Sequence, residues 1–206
     1  MPRPGAAAIL RRPSAPTASV ILDVILTSLG LVFVAEMGDK TQILALLLAT
    51  RFRQPWSLIA GMLVAVLLNH ALAGGIGFEV AARVPANWLH WGVAASFFAM
   101  AAWLLVPDHA ELAARYSGAR NAFLTALIAF FLAEMGDKTQ IATVLLAARY
   151  HSLVLVMVGS SIGMLLADAP VIWFGERIMR RVPSRLLRRV SAALFAAFGV
   201  GVLAGW

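Results

Sequence analysis

The 206-residue chain has no cysteine, so it can build neither a disulfide framework nor a thiolate metal site, and it carries no sign of a redox compartment. Charge is scarce too: 13% of the residues are Asp, Glu, Lys or Arg, against 61% that are hydrophobic. At a mean hydropathy of +0.85, that much apolar surface cannot hide in one small soluble core and calls for lipid. The apolar runs do not alternate with polar residues, which excludes a β-barrel. The net charge of +7 comes almost wholly from arginines set between apolar runs, with no interleaved aromatics to stack on bases. It reads as anchoring at lipid head groups and excludes nucleic-acid binding.

Long apolar runs are present at 20–35, 56–78, 88–106, 123–133, 153–174 and 190–206. A helix needs about 20 apolar residues to cross the hydrocarbon, so these predict an all-α membrane protein with six transmembrane helices. Residues 1–18, rich in Pro, Ala and Arg, read as a disordered N-terminal tail.

Sliding the sequence on itself by 98 residues aligns 35–43 with 133–141 at every position, without a gap on either side. Leu26, Thr27, Leu29 and Phe33 recur as Leu124, Thr125, Leu127 and Phe131, and Gly61 recurs as Gly159. This is an internal duplication. It divides the chain into a first three-helix repeat (19–106), a linker (107–117) that includes His109, and a second three-helix repeat (118–206). Within each repeat a motif helix (about 20–50 and 118–148) precedes a glycine-containing helix and a closing helix. Three crossings are odd, so the second copy enters from the opposite side and the halves form inverted repeats, with the two motifs facing each other near the midplane. Five arginines (Arg3, Arg11, Arg12, Arg83 and Arg149) fall on the side of the tail. Ten fall on the other, among them Arg51, Arg53, Arg177, Arg180, Arg181, Arg185 and Arg188. That bias predicts both termini outside the cytoplasm.

Glu36, Asp39 and Lys40, with their copies Glu134, Asp137 and Lys138, sit in apolar segments, where each unpaired charge costs at least ~2.5–3.5 kcal/mol. A Glu36–Lys40 pair at i, i+4 would account for two of the three charges in a copy and leave one over. On a continuous helix Glu36, Asp39 and Gln42 form one slowly turning stripe flanked by Lys40 and Thr41, and Glu134, Asp137, Gln140, Lys138 and Thr139 repeat it. Gly38 allows either close packing or local unwinding that frees carbonyl oxygens. Brought together, the copies hold four carboxylates and two lysines, a formal charge of −2. One divalent cation or two protons would neutralise it, which predicts exchange of one for the other, with Glu36 and Glu134 as proton carriers.

Glu36, Asp39, Gln42, Glu134, Asp137 and Gln140 are therefore the expected metal ligands. The donors are hard oxygens, favouring Mn²⁺, Ca²⁺ or Mg²⁺ over Zn²⁺ or Cu⁺, with Met37 and Met135 as packing residues that could add a thioether. His70 and Asp168 coincide under the 98-residue shift and are expected to support the site or a proton pathway, beside Lys40, Thr41, Lys138 and Thr139. Glu79 and Glu176, near helix ends beside arginines, read as solvated ion pairs.

The doubled Glu36-Met37-Gly38-Asp39-Lys40-Thr41 and Glu134-Met135-Gly136-Asp137-Lys138-Thr139 resembles the signature of the Gdt1 family of small membrane cation transporters, over nearly the whole chain. The resemblance implies transport of Mn²⁺ and, in eukaryotic relatives, Ca²⁺, in exchange for protons, with the motif acids as the binding site. Bacterial relatives are implied to be manganese exporters of the cytoplasmic (inner) membrane. The expected partners are a divalent cation, protons and the bilayer, with a homodimer left open. Neither a cofactor nor an enzymatic reaction is expected: an aspartyl dyad of Asp39 and Asp137 must share a proton, and the lysine after each aspartate works against that. An exporter of another small solute such as an amino acid, and a structural membrane subunit, are the alternatives.

Overall fold

The structure, a computed structural model, describes residues 17–105, 120–175 and 184–205. Those residues form eight α-helices and no strand: α1 (Ala18–Glu36), α2 (Lys40–Phe52), α3 (Pro55–Arg83), α4 (Ala86–Leu104), α5 (Ala122–Glu134), α6 (Lys138–Tyr150), α7 (Leu153–Phe174) and α8 (Ser184–Leu203). Three of them, α1, α3 and α7, are long and apolar enough to cross a membrane. The tail (apart from its last two residues), the linker with His109, and Glu176, Arg177, Arg180 and Arg181 lie outside the described residues.

The expectation of one continuous motif helix in each half is corrected. Each is split in two, at 37–39 and again at 135–137. The reason is local: Gly38 and Gly136 take φ of +84° and +76°, a left-handed conformation that a side chain disfavours and that ends the preceding helix. Asp39 then caps the next helix, its side chain accepting the Lys40 N–H at 2.7 Å. The single stripe of Glu36, Asp39 and Gln42 is therefore not formed, and of the two readings of Gly38 the unwound one holds.

Local structure repeats with the sequence. The helix breaks recur 98 residues apart, and so do the left-handed C-caps Arg53 (φ 50°) and His151 (φ 49°) that end α2 and α6. Packing runs across the halves: α1 lies along α7 and α5 along α3. Glycine makes both contacts close. A Cβ on Gly61 would stand 2.3 Å from the Phe123 carbonyl oxygen, and one on Gly159 would stand 2.6 Å from that of Ile25. The obstacle is backbone, which cannot swing aside, so Gly61→Ala and Gly159→Ala are each expected to cost about 1–3 kcal/mol, read as a lower melting temperature in detergent. Gly30→Ala, whose Cβ meets nothing within 4 Å, serves as the control.

α4 and α8 pair through Phe97, whose ring lies 5.9 Å from those of both Phe195 and Phe198, and the pair rests on α1 and α6. Ser191 on α8 donates to the Val34 carbonyl of α1 at 2.7 Å. The outer surface carries Leu22, Leu26, Leu68, Leu72, Ile76 and Phe174, all exposed, as a lipid-facing surface requires. Trp56, edge-on to Trp173 at 4.9 Å, marks one end of α3; Trp88 and Trp91 follow its other end, where interfacial tryptophans belong. Glu79, expected in a solvated pair, bonds Arg83 at 2.8 Å.

Candidate cation site

The two broken helices meet at their breaks. Oxygens of Glu36, Glu134 and Asp137 all lie within 4.8 Å of one another, a spacing that can hold a metal ion. Asp39 joins them through an ion pair, its Oδ1 3.8 Å from Lys138 Nζ. All four acids are buried.

Each acid is held by one oxygen and leaves the other open. Thr41 Oγ1 donates to Glu36 Oε1, and Thr139 Oγ1 donates to Glu134 Oε2 at 2.7 Å, so each threonine orients the glutamate of its own half across the break. Asp39 Oδ1 takes the Lys40 N–H, and Asp137 Oδ1 takes Lys40 Nζ at 2.7 Å. The remaining oxygens, Glu36 Oε2, Asp39 Oδ2, Glu134 Oε1 and Asp137 Oδ2, are buried and unpartnered. Buried polar atoms are normally satisfied, so four unpartnered carboxylate oxygens at one crossing could take up a cation or protons.

Lys40, one of two lysines in the chain, pairs with Asp137 and not with Glu36 at i, i+4. Once the helix breaks, Lys40 is carried away from Glu36 and reaches Asp137, while Lys138 faces Asp39. Both ion pairs therefore cross between halves.

Gln42 and Gln140 brace the breaks. Each amide oxygen accepts the glycine N–H of its own break, Gly38 at 2.9 Å and Gly136 at 2.6 Å. Each Nε2 reaches the opposite half: Gln42 donates to the Ala167 carbonyl at 3.0 Å, and Gln140 meets Asn69 Oδ1 at 3.4 Å. One lone pair of each glutamine oxygen is thus already used. Asn69 and Ala167 are themselves 98 residues apart, a coincidence visible in the sequence that would have flagged this position of the second helices. His70 and Asp168, next along, are buried; His70 Nδ1 lies 3.1 Å from Ser161 Oγ on α7. Met135 is exposed and Met37 half-buried, its sulfur 3.8 Å from Gln42 Nε2.

The sequence that builds this site has counterparts among known proteins. The family described as "Divalent cation/proton antiporter GDT1" matches residues 24–112 and 122–205. The chain belongs to the GDT1 family. A Vibrio cholerae protein described as "Putative manganese exporter" is 45% identical over 176 residues, covering 85% of this chain and 88% of that one. "GDT1-like protein 3" of Oryza sativa subsp. indica is 28% identical over 87% of this chain and 73% of its own length. "GDT1-like protein 5" of Arabidopsis thaliana is 26% identical over 84% and 92%. No solved structure matches the chain. As a GDT1 protein it is a multi-pass membrane protein of a cation-transporting family, and that family consists of transporters rather than enzymes.

Proposed function

We propose that this GDT1 protein exports Mn²⁺ in exchange for protons, with Ca²⁺ as a second cargo, through the crossing of its two broken helices. The observation that carries the reading is the set of four buried, unpartnered oxygens, one from each motif acid and two from each half. Four carboxylates against two lysines leave −2, which one divalent cation or two protons neutralises. Oxygen donors suit Mn²⁺ and Ca²⁺, and the relative described as "Putative manganese exporter" favours Mn²⁺.

In this reading α1 with α2, and α5 with α6, each make one crossing, and α3, α4, α7 and α8 make the other four. The halves are inverted about an axis in the membrane plane, the termini lie outside the cytoplasm, and the membrane is the inner one. The contacts of α1 with α7 and of α5 with α3, together with the odd number of crossings per half, support it. No feature of the site favours an amino acid as cargo, since buried acids in such excess repel a carboxylate.

Flux into liposomes tests the reading. Purified protein should carry Mn²⁺, and Ca²⁺ more slowly, at a rate raised by an opposing pH gradient, while the interior pH moves with the metal. Metal flux without proton movement would remove the coupling, and absence of flux for Mn²⁺, Ca²⁺ and Mg²⁺ would remove the transport assignment.

A further inference from the structure

Five of the chain's ten acidic residues gather at the crossing, and one of them belongs to neither motif. Asp168, on α7, is fully buried, and neither of its carboxylate oxygens has a partner. It lies within electrostatic reach of Asp39, Glu36 and Glu134. The hydrogen bond from Gln42 to the carbonyl of Ala167 pins the adjacent turn of α7 against the start of α2.

Its counterpart in the first half behaves differently. His70 has a hydroxyl beside it, that of Ser161, whereas the residue equivalent to Ser161 is Leu63, which offers Asp168 nothing. Asp168 is thus a bare carboxylate at a place where the duplication supplies no donor. Among the described residues eight buried side-chain atoms lack a partner, and six of them are carboxylate oxygens: one from each motif acid and both from Asp168. Glu36, Glu134 and Asp137 already have oxygens within 4.8 Å of one another; Asp39 and Asp168 stand outside that group and would have to close in on the ion to complete the six oxygens that an octahedral Mn²⁺ or Mg²⁺, or a six-coordinate Ca²⁺, takes.

We propose that Asp168 is a direct ligand of the transported cation, so that the site is built from five carboxylates and is lopsided, with three from the second half and two from the first. The inference rests on the reading of the crossing as a cation site. It makes α7 a wall of the binding site rather than a support for it. It also distinguishes the two faces of a site whose motifs are identical, because the cation has a carboxylate on the α7 side and an imidazole already engaged with Ser161 on the α3 side.

Mn²⁺ binding to the purified full-length protein, followed by loss of the free-ion EPR signal, tests this without depending on transport. Asp168→Asn keeps the shape and removes the charge; it should weaken Mn²⁺ binding by at least about tenfold, with an unchanged elution profile. Asp168→Glu keeps the charge but moves it by one methylene, so Mn²⁺ still binds and the preference for Mn²⁺ over Ca²⁺ shifts. Binding by Asp168→Asn indistinguishable from wild type overturns the proposal, and so does an effect confined to its pH dependence. Should Asp168→Asn fail to fold, an unchanged ion preference in Asp168→Glu overturns it instead. Glu36→Gln separates the two levels: if it loses Mn²⁺ while Asp168→Asn keeps it, only the role of Asp168 falls. If wild type itself binds no Mn²⁺, the cation site falls and the Asp168 assignment with it.

Discussion

Glu36→Gln is expected to reduce Mn²⁺ flux in liposomes by at least about 100-fold, since loss of even an outer-shell partner of a metal ligand costs about 10–100-fold, and Glu134→Gln should do the same. Glutamine fills the same volume and can still accept a hydrogen bond from Thr41, so the fold around the break should survive. What disappears is the charge and, with it, the unpartnered Oε2 that faces the other acids. The motif acids and lysines then sum to −1 instead of −2, so the attraction for a divalent ion weakens. Flux is read from quenching of a metal-sensitive dye inside the vesicles. The comparison variant is Thr41→Val, which leaves the charge but lets the carboxylate turn; its loss should be clearly smaller. Wild-type flux in Glu36→Gln would mean that cations cross elsewhere.

Lys40→Met should have the largest effect on stability, about 3 kcal/mol, because it strands the carboxylate of Asp137 without its 2.7 Å partner. The low end of the usual range applies, since the Lys40 side chain keeps 21% of its surface exposed and water relieves part of the penalty. Removing both charges, in Lys40→Met with Asp137→Asn, should recover most of the lost thermal stability in detergent without recovering transport, since a site oxygen is still gone. A single variant as stable as wild type would show that the ion pair does not hold the halves together. A double variant that transports would exclude Asp137 from the site.

Much of this was legible in the residues. The 98-residue repeat pointed to the two-copy build, and charges in apolar runs pointed to the four motif acids, which the structure brings together. The split of the motif helices was less so. Gly38 in an apolar stretch is compatible with a packed helix or a broken one, and the break is held by contacts across it, Thr41 to Glu36 and Gln42 to the Gly38 N–H, and by the cap that Asp39 gives the Lys40 N–H. The pairing of the lysines across the halves was not legible for the same reason, because spacing along one helix says nothing of a partner beyond its break. The glutamines were expected purely as ligands, and their part in bracing the breaks depends on Ala167 and Asn69, whose relevance appears only when α7 and α3 are seen to lie beside the opposite half's motif.

If α1 with α2 makes one membrane crossing, as proposed, the crossed lysines bear on synthesis. Threonine and glutamine build each break from its own half, so the first break can form as soon as α1 and α2 have entered the membrane. Its charges cannot yet be matched, because the acid that receives Lys40 lies 97 residues further along the chain. Until α5 and α6 arrive, Asp39 and Lys40 sit in the bilayer without their final partners, at a cost of ~2.5–3.5 kcal/mol each. Splitting the chain between the halves is therefore expected to leave each fragment with charges that only the other half matches.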